Sequence, residues 1–155
     1  MEMIPMDRCA MAYQYRKEGY NCAQAVAASF ADLTGLTPET MMAAAKGFGG
    51  GVGGSFQELC GAVSGAVLVL GMLDPDVTET DRAGRKRVYP KAKALRDRFE
   101  ETFGHIHCGD LRAARPGATD KTPAAVRLGV TAHCDIMVVT AVEILEQMLA
   151  EAGKR

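Results

Sequence analysis

Between Lys46 and Ser55 the chain reads KGFGGGVGGS, six glycines in ten residues, and it then delivers Cys60 at the head of an apolar run, CGAVSGAVLVLGML. Fixing a glycine costs roughly 0.5–1 kcal/mol more backbone entropy than fixing an alanine. Glycines this dense require backbone at positive φ, or backbone pressed against something that leaves no space for a Cβ. The stretch 46–65 is therefore expected to wrap a site that Cys60 helps to form. It contains a match to GxGxxG at Gly49, Gly51 and Gly54. A dinucleotide loop needs a strand before it and a helix directly after it. Here a Met- and Ala-rich helical pattern precedes the loop, no parallel strand is evident anywhere, and GK[ST] is absent, so the match is read as a decoy.

The run 60–73 is apolar nearly all round, as in a helix at the centre of a core. Gly61 and Gly65 lie four apart with Ala62 beside them, a small-residue face that would let another helix or a cofactor approach the backbone. Three glycines in a buried helix cost stability, which favours a close-contact role. The same face permits a homodimer. At twelve or so residues the run is too short to span a bilayer.

The other elements read as helices too. Asp7 starts a first helix over 7–17, and Asn21 caps a second, CAQAVAASFADLTG, ended by Gly35. Cys22 in its first turn is either a thiolate favoured by the helix dipole or a small core residue. Thr37-Pro38 opens a third helix over 38–46. Asp74-Pro75-Asp76 breaks the central helix, and Thr78 or Thr80 can cap the next. The charge-rich stretch 80–103 has apolar residues at Val88, Leu95, Phe99 and Phe103, with Pro90 predicting a kink or two helices. Cys108 opens or precedes a short turn to Arg115, 117–123 reads as a polar loop, and a last helix begins at Ala124 or Thr131 and runs to Ala152. Its buried stripe is Val130, Cys134, Met137, Val138, Ala141, Ile144, Leu145 and Met148, with His133 one residue off it. The expectation is an all-α bundle of about six helices, one domain over residues 1–155, with 60–73 central.

A net charge of −1 gives no ground for a nucleic-acid or membrane surface. Residues 1–11 lack an apolar core followed by a small-residue cleavage site, so no signal peptide and a cytoplasmic location are expected. In reduced cytosol the five cysteines are buried hydrophobes, metal ligands or redox groups. No CxxC pair occurs, which argues against a thioredoxin motif, a zinc knuckle and a CxxCH haem site, though not against a site assembled from distant parts of the chain. Neither GxSxG nor HExxH is present, so a hydrolase reading has little support.

NCAQAV around Cys22, GFGGGVGG running into CGAVSGAVLVLG, Cys108 in HCGDL and Cys134 in HCDIMVV together resemble the C-GCAxxG-C-C family, regarded as redox proteins on account of four characteristic cysteines. The resemblance covers residues 13–149. It implies that Cys22, Cys60, Cys108 and Cys134 are the family cysteines and that Cys9 is incidental. A related domain accompanies c-type haem and an iron–sulfur centre in the split-Soret cytochromes; the haem cannot be carried over without CxxCH. The reading that follows is a redox protein whose four cysteines ligate an iron–sulfur cluster for electron transfer with a partner protein. The backbone of Gly49, Gly50, Gly51, Gly53 and Gly61 would approach the cluster sulfides. Two alternatives stand beside it. One is a cycling cysteine pair, and the other is a structural zinc site that could draw a ligand from His105 or His107.

Overall fold

The computed structural model describes residues 6–74, 82–114 and 122–153. Among these the structure is all-α, with nine helices: α1 (Arg8–Lys17), α2 (Cys22–Ala28), α3 (Ala31–Thr34), α4 (Pro38–Ala45), α5 (Gly61–Met72), α6 (Arg82–Phe103), α7 (Cys108–Ala114), α8 (Pro123–Leu128) and α9 (His133–Glu151). A 3₁₀ turn, Lys46–Phe48, leads from α4 into the glycine loop. The only extended pairing among the described residues is an isolated antiparallel bridge between Leu59 and His107.

The helix starts follow side-chain chemistry. Asp7, Thr37 and Thr122 each accept a backbone N–H of the first turn they cap. Asn21 and Gln24 form a reciprocal capping box that fixes the start of α2. One helix expected as a single piece divides. The 22–35 segment breaks between α2 and α3, where buried Ser29 donates its hydroxyl to the Val26 carbonyl and Phe30 leaves helical geometry at φ −115°. Of the two starts expected for the last helix, Ala124 and Thr131, the structure favours the later: Gly129 at φ +67° closes a short α8, and α9 begins at His133. Pro90, by contrast, ends nothing. It lies on the solvent side of α6, so the Lys86 carbonyl that loses its helical donor is on an exposed turn. The Thr78 and Thr80 caps and most of the 117–123 loop lie outside the described residues.

The apolar helix α5 is central, packing against α2, α6 and α9, while α2 also packs on α1, α4 and α9. Small residues make the α2–α5 approach possible. A Cβ on Gly65 would stand 2.6 Å from the Ala23 carbonyl oxygen, so the helices meet backbone to backbone there. The Gly61–Gly65 face that permitted a homodimer is thus covered by α2. The remaining core is aliphatic and aromatic: Phe99 and Phe103 meet edge-on at 4.9 Å on α6, and α9 buries Ile136, Met137, Val138, Val139, Val142 and Leu145. Among the described residues no helix is long and apolar enough to cross a membrane.

Candidate functional site: a four-cysteine pocket at convergent helix starts

The glycine loop adopts the conformation its composition demands. Gly50, Gly51, Val52, Gly53 and Gly54 hold φ of +62, +71, +65, +62 and +67°, five successive residues in the region that L side chains avoid. Backbone bonds from Gly53 N–H to Gly47, Gly54 N–H to Gly49 and Phe56 N–H to Gly50 close the loop on itself. Its far end is stitched to the segment that starts α7. Cys60 N–H donates to Ile106 at 2.8 Å, Cys108 N–H to Glu58 at 2.9 Å, and Gly109 N–H to Phe56 at 2.6 Å. These bonds bring Cys60 beside Cys108 across 48 residues of sequence.

On its near end the loop meets α2. The Asn21 amide donates to the Lys46 carbonyl at 2.9 Å, and a Cβ on Gly49 would collide with the Asn21 side chain. A Cβ on Gly61 would overlap the Cys22 sulfur, and one on Gly51 would come within 2.7 Å of Cys108 Cβ. Of the five glycines expected to approach the site, Gly49, Gly51 and Gly61 are therefore in contact with the cysteine region or its cap, while Gly53 faces nothing within 4 Å.

Cys22, Cys60, Cys108 and Cys134 line one cavity of about 150 Å³, together with Arg16, Asn21, Gly50, Gly61, Leu111, Arg112, His133 and Met137. Each cysteine sits at the start of a helix. Cys60 is the residue before α5, Cys22 and Cys108 are the first residues of α2 and α7, and Cys134 is the second of α9. Helix starts carry backbone N–H groups without carbonyl partners. Cys134 differs from its sequence reading: because the last helix begins at His133, it is a half-buried first-turn residue facing the cavity rather than a member of a mid-helix stripe. The alternative helix start at Thr131, which places Cys134 in the first turn, was the signal available for it. His133 also lines the cavity, whereas His105 and His107 are exposed and do not.

All five cysteines are free thiols. Burial pushes the Cys60 thiol up to about 12, helped by the neighbouring Cys22 and Cys108 and opposed by the N–H groups of Ala62 and Val63. Burial also raises Cys108, with Cys134 and Cys22 adding to it and Arg112 opposing. Cys134 is raised by burial as well, against the pull of Arg16 and Arg112. Cys9 lies apart. It is buried between α1 and α9, its sulfur 3.6 Å from the Val139 carbonyl and 3.6 Å from Glu146 Oε1, and its thiol is raised above the usual range by burial and by Glu146.

An all-α fold that gathers four cysteines at one glycine-walled pocket defines a class of cysteine-centred helical proteins. A family described as "Putative redox-active protein (C_GCAxxG_C_C)" matches residues 20–148, and the chain belongs to it. The match runs from the α2 cap to α9 and takes in all four cavity cysteines but not Cys9. No curated protein and no solved structure matches the chain.

Proposed function

We propose that Cys22, Cys60, Cys108 and Cys134 ligate an iron–sulfur cluster and that the protein carries electrons for a partner protein. The observation that carries this reading is the delivery of four thiols, from four separate helix starts, to one cavity. The donor set suits the group. Thiolate sulfur is the usual ligand of iron–sulfur clusters, and clusters take four of them. Thiols that burial keeps protonated are released to ionise when a cationic core binds, so loading would expel protons. Among the described residues no three His, Cys, Asp or Glu side chains stand close enough together to share a single metal ion. Zinc can take the same four thiolates, so the iron and zinc content of the purified protein separates the cluster from the zinc alternative.

When bound, the cluster would supply reversible one-electron transfer. The chain's own contribution is to hold the four sulfurs, to bring the Gly50, Gly51 and Gly61 backbone close, and to keep the cavity walls apolar with Leu111 and Met137. Such a role fits a reducing compartment such as the cytoplasm.

A second reading is favoured by the seating of the Cys22 sulfur against Gly61, the residue next to Cys60. Two thiols would there give up two electrons and two protons to an oxidant and form a disulfide. Anaerobic reconstitution with iron and sulfide separates the two. The cluster reading expects iron and acid-labile sulfide with visible absorbance, lost in Ser variants of Cys22, Cys60, Cys108 or Cys134 and kept in Cys9→Ser. A colourless, iron-free product overturns it. A count of free thiols that falls by two on oxidation of that product would support the disulfide.

A further inference from the structure

Among the described residues no carboxylate lines the cysteine cavity, but two guanidinium groups do, and they are held in opposite ways. Arg16 donates from Nε to Asp135 at 2.8 Å and from a terminal nitrogen to the Tyr20 carbonyl at 3.0 Å. Its position is fixed, and its charge is shared with the carboxylate that fixes it. Arg112 follows Cys108 by four residues, one turn along the same face of α7. Its guanidinium lies 4.3 Å from the centre of the Phe56 ring, and it pairs with no carboxylate among the described residues. Asp110, two residues before it, does not share its face. The ring is itself anchored, since the Phe56 carbonyl accepts the Gly109 N–H and Phe56 holds φ +63° in the glycine loop. An aromatic face attracts a cation through its quadrupole without neutralising it. The loop thus steadies a full positive charge at the mouth of a pocket of sulfur.

We propose that Arg112, held on Phe56, is the uncompensated charge of this site: it draws anions to the cysteines and offsets the negative charge of the thiolate-bound group, raising its reduction potential. The second half rests on the cluster reading; the first does not. The two are therefore tested separately.

In the reduced, metal-free protein, Cys108 and Cys134 are alkylated with iodoacetate, an anion, and with iodoacetamide, its neutral counterpart. The ratio of the two rates reports local charge and cancels differences in thiolate fraction. Arg112→Gln is expected to lower the ratio about fivefold, Arg112→Lys to keep most of it, and Asp135→Asn, which frees the Arg16 charge, to raise it. An unchanged ratio in Arg112→Gln, in a variant that melts like the parent, overturns the inference, and so does an equal fall in Arg112→Lys. In the reconstituted protein Arg112→Gln should make the group about tenfold harder to reduce at equal iron content, a shift of about 59 mV for one electron. Full iron with an unshifted potential overturns the tuning role. A protein that takes up no iron while its alkylation ratio still depends on Arg112 overturns the cluster reading alone.

Discussion

At Val52 the chain places a β-branched side chain at φ +65°, where the Cβ crowds the following carbonyl and costs about 1–2 kcal/mol. The side chain is exposed, so no burial compensates for the strain. Five successive residues share this geometry, and the four others are glycines. Val52→Gly is accordingly expected to stabilise the protein by about 1 kcal/mol in urea unfolding, the relief of strain exceeding the added entropy of the unfolded chain. A neutral or destabilising result would mean that Val52 makes contacts worth more than its strain. Gly51→Ala should behave in the opposite way. It adds a Cβ at φ +71° within 2.7 Å of Cys108 Cβ and 3.0 Å of the Glu58 carbonyl, neither of which is the loose end of a flexible side chain. A loss of about 2–4 kcal/mol is expected, with the Cys60–Cys108 stitching disturbed first. Both residues were readable as a loop under conformational demand from glycine density alone. That Val52 would share the positive φ was not, because nothing in a sequence marks a non-glycine residue forced into the geometry of its neighbours.

Between elements, two contacts tie the helices together. Arg8 on α1 reaches across to the α2–α3 break, donating to the Ser29 carbonyl at 2.8 Å and in bidentate fashion to Asp32, with its guanidinium 5.0 Å from the Phe30 ring. The Arg8 hydrogen bond holds the Asp32 carboxyl below its ordinary range. A carboxylate depressed in the folded state stabilises above its unfolded pKa, near 3.9, and that support is lost as pH falls through the lower folded value. Stability should therefore drop below about pH 4, and Asp32→Asn should both flatten that part of the profile and cost about 1–2 kcal/mol at neutral pH, since Arg8 would stay buried without its counter-charge. An acid limb unchanged in the variant would assign the effect to Asp7, whose carboxyl Arg127 depresses in the same way.

The second contact is the α2–α5 seam. Gly61 and Gly65 were legible as a close-approach face, and both prove to be one, but for different neighbours. Gly61 abuts the Cys22 sulfur and the Phe48 carbonyl, Gly65 the Ala23 backbone. Gly61→Ala is expected to displace Cys22 and reduce cluster loading several-fold beyond what its loss of stability explains. Gly65→Ala, one turn deeper, should destabilise by about 2–3 kcal/mol while the folded fraction loads normally. Iron content measured against the folded fraction separates them, and equal loading in both variants would remove Gly61 from the site. The breaks at Ser29 and Gly129 were the elements least visible in the sequence. Apolar periodicity runs on through Ser29, where only a local hydrogen bond interrupts it, while the start after Gly129 was one of two placements that the sequence left open.

For the whole molecule, the telling feature is that 22, 60, 108 and 134 are far apart in sequence and meet only through the packing of α2, α5, α7 and α9. Motif spacing marked the four residues as belonging together through a family resemblance. It could not supply their meeting point, which depends on the backbone bonds joining 56–60 to 106–109 and on the helix break before Cys134. A group bound by all four would cross-link those helices in the folded state and have nothing equivalent to hold in the unfolded chain. Binding only the native state stabilises by about 2.7 kcal/mol at a hundredfold excess over the dissociation constant. For a chain of this size that corresponds to a rise in melting temperature of about 5–10 °C on loading. Because each helix would contribute one ligand, Ser variants of Cys22, Cys60, Cys108 or Cys134 should each forfeit the rise while melting near the unloaded parent. Cys9→Ser should keep the rise from a lower baseline, since its sulfur packs between α1 and α9. Calorimetry of loaded and unloaded forms under anaerobic conditions makes the comparison. A melting temperature that does not move on full loading would mean that the group is held by a locally ordered part of the fold rather than by all four helices.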